Sequence, residues 1–351
     1  MNVERQKVEL LALLSILLTP PPPEHNDDDE RNLLFLILQV VPPELPSIRT
    51  RLDLADAHVW RCNDVYSRFQ RHPYEFFQTT GETPASFIEM LNSITPLVNE
   101  DAKRYSLNLP NRLIMTLLWL RSYPCYSLLS LIFDVSIATV GRVINRMWPI
   151  LWEVYAVKVQ WPNINEWTQM YGKWEKLPYA IAAIDGTSHY INRPEKNQEL
   201  YYSGHRNAHC VHTQIIIDNN RRIRYIHSGF YGHMNDAQQY HHLPKIGPNE
   251  NLQFPEQGFI LADKIYPCIY PLLNRYSQAQ IQAKPIHQRR RCRKFNKTLN
   301  SYRVYVEHII SNFKHYKVIG FMYRHPRWML PSIVELCAGL TVRRIDLFQG
   351  V

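Results

Sequence analysis

Residues 110–153 contain three segments whose apolar positions follow the helical period. An apolar run over 113–120 follows Pro110, and a second helix over 126–132 follows Pro124. After a short turn, Ser136 is placed to cap a third helix. The apolar face of that third helix contains Ile137, Val140, Val143, Ile144 and Met147.

The third helix also has a polar face, formed by Arg142, Asn145 and Arg146 at helical spacing. Two helices joined by a tight turn, with a basic face on the second, are typical of a helix-turn-helix, which can place its second helix in the DNA major groove. Other small helical bundles give the same pattern. The three side chains are therefore candidate DNA contacts, and a plain bundle is the alternative.

From position 178 the pattern changes to short apolar or alternating runs, which predict strands. The predicted elements are strands over 179–184, 209–217 and 222–228, a helix over 235–242, a strand over 258–262, a basic irregular stretch over 284–302 and a helix over roughly 302–318. Three meandering strands followed by helix, strand and helix predict an α/β fold. We expect a ribonuclease-H-like mixed sheet flanked by helices, preceded by an all-α helix-turn-helix region.

These patterns divide the chain into three predicted regions. Residues 1–50 contain apolar helices separated by a proline and acidic linker, 51–160 form a helical region, and 175–351 form the α/β domain. The longest largely apolar runs hold nine residues. A membrane-spanning helix needs about 20, so we expect no membrane association.

The charge of the chain is concentrated near its C-terminal part. The net charge is +9, but residues 284–327 carry twelve Lys and Arg residues and one acid, Glu307. Such a local excess indicates a polyanion partner, most simply nucleic acid. A solvated loop or a nuclear-import signal would have the same composition. The candidate DNA contacts in this stretch are Arg289, Arg290, Arg291, Arg293 and Lys294.

Three acidic residues are candidate catalytic and metal-binding residues. Asp185 and Asp263 follow predicted strands, and Glu307 lies on the predicted C-terminal helix. The six cysteines are scattered without Cys-x-x-Cys pairs, which disfavours a zinc or disulfide scaffold. Oxygen ligands of this kind suit Mg²⁺ or Mn²⁺, and two such ions can cleave a phosphodiester. The alternative is structural: both aspartates cap turns, and Glu307 pairs with Arg303.

A fourth acid, Asp236, lies between the predicted third strand and the following helix. It could cap that helix or lie next to the metal ligands. We place it behind the three acids, as a residue that supports them, because Asp263 stands at a strand end; Asp236 as the second catalytic acid in place of Asp263 is the alternative.

Four motifs in order resemble the PIF/Harbinger branch of the DDE transposases, over about residues 110–348. They are Ile184-Asp185-Gly186-Thr187, Gly232-x-x-x-Asp236, Leu261-Ala262-Asp263-Lys264-x-Tyr266-Pro267 and Arg303-Val304-x-Val306-Glu307-x-x-x-x-x-Phe313-Lys314. The resemblance implies a ribonuclease-H-like catalytic domain that cleaves DNA with divalent metal. Carried over by motif, the catalytic and metal-binding acids are Asp185, Asp263 and Glu307. Ile265 stands where the family usually has glycine, so a turn with positive φ would be strained there.

The resemblance further implies the activity and partners of a DNA transposase. We expect cleavage and joining of phosphodiesters at element ends and target DNA, with Arg303 and Lys314 positioning phosphates. The family also implies homo-oligomers, a separate DNA-binding accessory protein and, in a eukaryotic host, a nuclear location. One rival is a domesticated DNA-binding or scaffold protein without cleavage activity, and another is an RNA-directed nuclease. All three acids are present, which favours the enzyme.

Overall fold

The structure of the chain, a computed structural model, describes residues 64–98 and 107–348, which belong to one compact unit. The α-helices are α1 Val65–Gln70, α2 Pro73–Thr80, α3 Pro84–Ile94, α4 Leu109–Ser122, α5 Tyr126–Phe133, α6 Ile137–Tyr155, α7 Ile164–Thr168, α8 Gln198–Tyr201, α9 Asp236–His241, α10 Gln278–Gln282, α11 Ile286–Phe313, α12 Lys317–Gly320 and α13 Leu330–Phe348. The strands are β1 Ala180–Tyr190, β2 Tyr202–Ser203, β3 Ala208–Asp218, β4 Ile223–Tyr231, β5 Ile246–Gly247, β6 Leu252–Gln253, β7 Phe259–Ala262 and β8 Leu272–Asn274. The helices predicted within 1–50 lie outside the described residues, and the three predicted domain boundaries stay predictions.

Helices α4, α5 and α6 form the predicted helix-turn-helix region. The turn between α5 and α6 is made possible by Asp134, which adopts a left-handed conformation with φ 48°. The Ser136 side chain accepts a hydrogen bond from the Thr139 N–H and so caps α6. The axes of α5 and α6 are bent by 100° at this turn, within the range of helix-turn-helix motifs. The predicted start of each of these helices is confirmed to within a few residues.

The sheet is mixed, as predicted. Its central strand β1 pairs antiparallel with β3 and parallel with β7; β3 also pairs antiparallel with β4, and β7 pairs parallel with β8. Three antiparallel strands followed by parallel ones, with helices on the faces, confirm the predicted ribonuclease-H-like α/β class. Strand β1 is longer than predicted, because it continues through Asp185 to Tyr190 while paired with β3. Asp185 therefore lies within the strand rather than at its end.

Each face of the sheet has its own apolar core. On one face, Ile215 and Ile217 pack with Leu299 and Val306 of α11 and with the helix-turn-helix region. On the other face, Ile184 and Ile216 pack in a cluster that includes Trp167, Phe254 and Tyr266. Alternate residues of a strand point to opposite faces, so neighbouring positions of β1 meet different surroundings.

Helix α11 corrects the prediction for the C-terminal part. The basic stretch 284–302 is helical rather than irregular, and one helix of 28 residues runs from Ile286 to Phe313. Between Pro285 and Gly320 the sequence contains neither proline nor glycine, and Arg, Lys, Gln and Leu favour helix. Buried positions recur every seven residues, at Cys292, Leu299, Val306 and Phe313. The many exposed charges between these positions conceal the helical pattern.

Among the described residues, no single helix is long and apolar enough to cross a membrane. Helices α5 and α6 reach that length and composition only when counted together across their 100° bend.

Candidate active site

Asp185 occupies the centre of the sheet. It pairs with Ile215 of β3, and its side chain is 20% exposed. The Gly186 N–H donates to Asp185 Oδ1 at 2.9 Å, and Arg303 Nη1 donates to Asp185 Oδ2 at 3.2 Å. The carboxylate therefore lies on the sheet face that α11 covers.

The position of Asp263 relative to β1 follows from the pairing of β1 with β7. Ala182 is opposite Ile260 and Ala183 is opposite Leu261 in parallel register. Strand β7 ends at Ala262, one residue before Asp263. The same offset, continued past that end, would set Asp263 opposite Asp185, and neighbouring strands lie about 4.8 Å apart. The Asp263 carboxylate is 24% exposed and pairs with Arg275 at 3.5 Å.

The loop after β7 does not carry the strain expected at Ile265. The Tyr266 N–H donates to the Asp263 carbonyl at 3.1 Å, and Asn274 Nδ2 donates to the Asp263 and Tyr266 carbonyls at 2.9 and 2.8 Å. Within the described residues, Ile265 is not among those with positive φ. Because the turn does not use the left-handed region, a β-branched residue fits without the predicted penalty.

Helix α11 brings Glu307 to Asp185. The buried side chains Leu299, Val306 and Phe313 anchor the helix to the core, each 0% exposed. Arg303 and Glu307 are four residues apart on an adjoining face and form an ion pair. Arg303 thus contacts both Glu307 and Asp185.

Asp236 lies on the opposite face of β1. A Cβ built on Gly186 would be 2.3 Å from Asp236 Oδ1, so the absence of a side chain at Gly186 is what lets this carboxylate approach the strand. Gln214 Nε2 donates to Asp236 Oδ1 at 3.2 Å and to Gln239 Oε1 at 2.8 Å, and Tyr266 Oη donates to Gln214 Oε1 at 2.6 Å. Asp236 does not cap α9 but is its first residue. The cap is Asn235, whose side chain accepts a hydrogen bond from the Gln238 N–H.

This hydrogen-bonded group connects Asp236 to the loop that carries Asp263. Gln214 is buried, and Tyr266 is 3% exposed. Because buried amide and hydroxyl groups need partners, a shift of one member leaves others unpaired. The supporting role of Asp236 stays a prediction, and its position across β1 is one that only the structure supplies.

Burial and neighbouring negative charges raise the pKa values of Asp185 and Asp236. Burial raises the pKa of Asp185 to about 6; Arg303 and the Gly186 N–H oppose this shift, and the charges of Asp236 and Glu307 add to it. Burial also raises the pKa of Asp236, with Asp263 adding to the rise and Gln214 and His212 opposing it. The negative charges next to Asp185 and Asp236 favour the approach of a cation.

The predicted DNA contacts fall into three groups. Arg142, Asn145 and Arg146 are exposed on α6, on the face turned away from its apolar core. Four basic residues are exposed on the first half of α11: Arg290, Arg291, Arg293 and Lys294.

The remaining three basic candidates are engaged within the protein, Arg303 with Asp185 and Glu307 as described above. Arg289 donates to the carbonyls of Lys284 and Gln282, at 2.9 and 2.7 Å. Lys314 donates to the Ser188 carbonyl at 3.0 Å, and burial lowers the pKa of its ammonium to about 8. Lys314 therefore lies beside β1 three residues beyond Asp185.

Two models of known protein families match this chain. The model described as "DDE superfamily endonuclease" matches residues 184–341, and the model described as "Helix-turn-helix of DDE superfamily endonuclease" matches residues 105–154. Together the two models match more than half of the chain. The chain belongs to the DDE superfamily of endonucleases. The predicted superfamily is thereby confirmed, whereas the PIF/Harbinger branch stays a prediction.

A curated relative and the solved structures complete the comparison. The chain is 25% identical over 242 residues to a probable transposase for insertion sequence element IS702 of Microchaete diplosiphon, a match that covers 68% of the chain and 81% of the relative. No solved structure matches the chain significantly.

The donor set of this DDE chain suits the divalent cations that the superfamily generally uses. Asp185, Asp263 and Glu307 offer only carboxylate oxygens, the ligands that hard cations prefer. Within residues 64–98 and 107–348, no three His, Cys, Asp or Glu side chains stand close enough to share an ion in their present arrangement. The Arg303 guanidinium contacts two of the three predicted ligands.

Several residues that shape this DDE site were not singled out from the sequence. They are Gly186, Gln214, Tyr266 and Arg275. Gly186 had a usable signal, because an isolated glycine within a strand indicates the close approach of another group. Gln214, in contrast, lies in an apolar strand with no motif around it, so its role emerges only from the pairing of β1 and β3.

Replacing Gly186 by Ala should destabilise the protein. The new Cβ would overlap Asp236 Oδ1 and lie 3.0 Å from Gln214 Nε2, so the buried hydrogen-bonded group must shift. We expect the free energy of unfolding in urea to fall by about 1–3 kcal/mol. Gly204→Ala is the matched control, because a Cβ there meets nothing within 4 Å. Equal stability of the two variants would show that Asp236 is not held against β1.

Replacing Asp185 by Asn should change how stability depends on pH. The folded-state pKa of Asp185, about 6, lies above its ordinary value of 3.8, so the folded protein binds this proton more tightly than the unfolded chain does. The resulting stability is present below pH 4 and is lost as the pH rises through 6. We therefore expect the free energy of unfolding of Asp185→Asn, measured in urea with chelator between pH 4.5 and 7.5, to increase relative to that of the wild type as the pH rises. Asp346→Asn, in an exposed pair with Arg222, serves as the control. If the difference in free energy of unfolding between Asp185→Asn and the wild type did not change with pH, the raised pKa of Asp185 would be contradicted.

Proposed function

We propose that this chain is a DNA transposase that cleaves and joins phosphodiester bonds by two-metal catalysis. The observation that carries the proposal is the parallel register of β1 and β7: Asp263 directly follows β7, and that register, continued past the strand end, would set it opposite Asp185. Glu307 reaches the same place from α11, where its partner Arg303 also contacts Asp185. The superfamily match supports an endonuclease, and the relative described as a probable transposase supports transposition.

In this proposal three carboxylate side chains bind the cations. Asp185, Asp263 and Glu307 would hold the two divalent ions through their carboxylate oxygens. Divalent cations in such a site activate an attacking water and stabilise the leaving oxygen of a phosphodiester. Mg²⁺ and Mn²⁺ fit the all-oxygen donor set. After the first strand is cut, the free 3′-hydroxyl would attack a phosphodiester of target DNA.

The rest of the protein would bind and orient the DNA. The exposed basic residues of α6 would contact the groove, and those of the first half of α11 would contact the phosphate backbone. Arg303 lies close enough to the acids to position a phosphate there. Lys314 would do so only if it released the Ser188 carbonyl. A homo-oligomer, a separate DNA-binding accessory protein and a nuclear location in a eukaryotic host remain parts of the proposal.

A nicking assay on supercoiled plasmid carrying candidate element ends tests the cleavage step. Nicking should require Mg²⁺ or Mn²⁺ and stop in chelator. Glu307→Gln should lower the nicking rate at least about 100-fold, because a lost cation ligand removes several kcal/mol of transition-state stabilisation. Glu89→Gln, which changes an exposed acid paired with Arg343, is the matched control and should leave the rate unchanged.

The outcomes of this assay separate the rival functions. Undiminished nicking by Glu307→Gln would exclude the proposed cation site. Intact DNA binding without nicking, even after accessory protein is added, would favour a domesticated DNA-binding protein. Cleavage of RNA in preference to DNA would favour an RNA-directed nuclease.

DNA binding through α6 can be tested separately from cleavage. Replacing Arg142 by Gln should weaken binding to element-end duplex about 5- to 150-fold if the side chain reads a base. If it contacts only a phosphate, the slope of log affinity against log salt concentration should become shallower by about one for Arg142→Gln. Arg71→Gln, at an exposed arginine outside the helix-turn-helix, is the control. An unchanged affinity and salt dependence for Arg142→Gln would show that this face of α6 does not bind DNA.

A further inference from the structure

One arginine side chain connects two of the acids that the proposed function assigns to cation binding. Arg303 Nη1 lies 3.2 Å from Asp185 Oδ2, and Arg303 Nη2 donates to Glu307 Oε1. The Arg303 side chain is 17% exposed, whereas that of Glu307 is 47% exposed. A single positive group thus contacts a half-buried carboxylate on β1 and a more accessible one on α11.

The position of the Arg303 backbone is fixed, but its side chain can turn. Leu299 and Val306, on either side of Arg303 along α11, are fully buried, and Tyr302 stacks on Trp174 with ring centroids 5.1 Å apart. The helix therefore cannot withdraw from the sheet without loss of its core contacts. The arginine stem has several rotatable bonds, so the guanidinium can leave the acids while α11 stays in place.

A divalent cation and this guanidinium compete for the same two carboxylates, because Arg303 contacts Asp185 Oδ2 and Glu307 Oε1 while the Gly186 N–H already donates to Asp185 Oδ1. Arginine keeps its charge at any ordinary pH, so it cannot be removed from the site by deprotonation. A cation held by Asp185 and Glu307 therefore has to displace Arg303 from both.

We propose that Arg303 is an internal counter-ion of Asp185 and Glu307 in the metal-free protein, and that it must be released before a divalent cation binds to these two carboxylates. This inference rests on the proposed function. It goes beyond that function, because it assigns Arg303 a role that opposes cation binding in the absence of DNA.

The released guanidinium has a suitable new partner in a DNA phosphate. Its fork of N–H donors binds phosphate oxygens in pairs. DNA that holds Arg303 away from the acids would favour cation binding, and bound cation would favour DNA by the same factor, since such coupling is reciprocal. The site would then bind its cations mainly when substrate is present.

The test measures Mn²⁺ binding by isothermal titration calorimetry at pH 7.5, with no activity readout. Arg303→Gln should bind Mn²⁺ at least about fivefold more tightly than the wild type, because the competing charge is gone. Arg222→Gln, which breaks an Arg–Asp pair with Asp346 on another part of the molecule, should keep the wild-type affinity. Asp185→Asn should lose binding in either background.

A second series adds a short duplex and subtracts the Mn²⁺ that the duplex binds alone. The duplex should tighten Mn²⁺ binding by the wild type and have little effect on Arg303→Gln. Equal or weaker Mn²⁺ affinity of Arg303→Gln, with the wild type binding normally, overturns the counter-ion role and leaves the proposed function intact. Failure of both proteins to bind Mn²⁺ overturns the counter-ion role and the two-metal function together.

A measurement on the unaltered side chain covers the case in which Arg303→Gln does not fold. The ¹⁵Nε–¹Hε signal of Arg303, assigned by its loss in Arg303→Lys, should shift on addition of diamagnetic Mg²⁺ as the guanidinium leaves the two carboxylates. A signal that stays unchanged while Mg²⁺ binds overturns the proposal.

Discussion

The site depends on the central position of β1 in the sheet. Because β1 pairs with β3 on one side and β7 on the other, its residues are fixed against two different segments of the chain. The parallel register with β7 sets where Asp263 leaves the sheet, and the antiparallel register with β3 places Gln214 opposite Gly186. Shifting the pairing of β1 by one residue would turn Asp185 to the opposite face of the sheet, away from α11.

The two faces of β1 divide the acids into two environments. Asp185 faces α11, where Arg303 supplies positive charge, whereas Asp236 lies across Gly186 in a buried hydrogen-bonded group with Gln214. Burial raises the pKa of both carboxyl groups, and their charges act on each other across one strand. An isolated buried acid is costly, so this concentration of carboxylates is stable only with partners. In the structure those partners are an arginine on one face and an amide on the other.

Helix α11 connects the DNA-binding and cation-binding parts of the proposed function. Its first half exposes the basic residues that indicate a polyanion partner, and its second half carries Arg303 and Glu307. Both halves belong to one continuous helix with buried positions at every seventh residue. DNA bound along the first half would therefore be directed toward the acids.

The sequence by itself determined the local elements and the chemical character of the site. Ser136 marks the start of α6, the apolar runs mark β1, β3 and β7, and the order of the motifs around Asp185, Asp263 and Glu307 indicates the superfamily. These features depend on neighbouring residues, because capping, periodicity and motif spacing are local. The course of α11 between 286 and 302 was missed, since a seven-residue apolar seam among so many charges becomes recognisable only when its partners in the core are known.

Tertiary structure alone decided which groups meet. The contacts of Gly186 with Asp236, of Tyr266 with Gln214 and of Arg303 with Asp185 join residues far apart in the chain. They follow from strand register and from the way α11 packs on the sheet, and neither is encoded in any short segment. For that reason the sequence could indicate an arginine beside Glu307 on one helix, whereas its second contact, with Asp185, had to come from the fold.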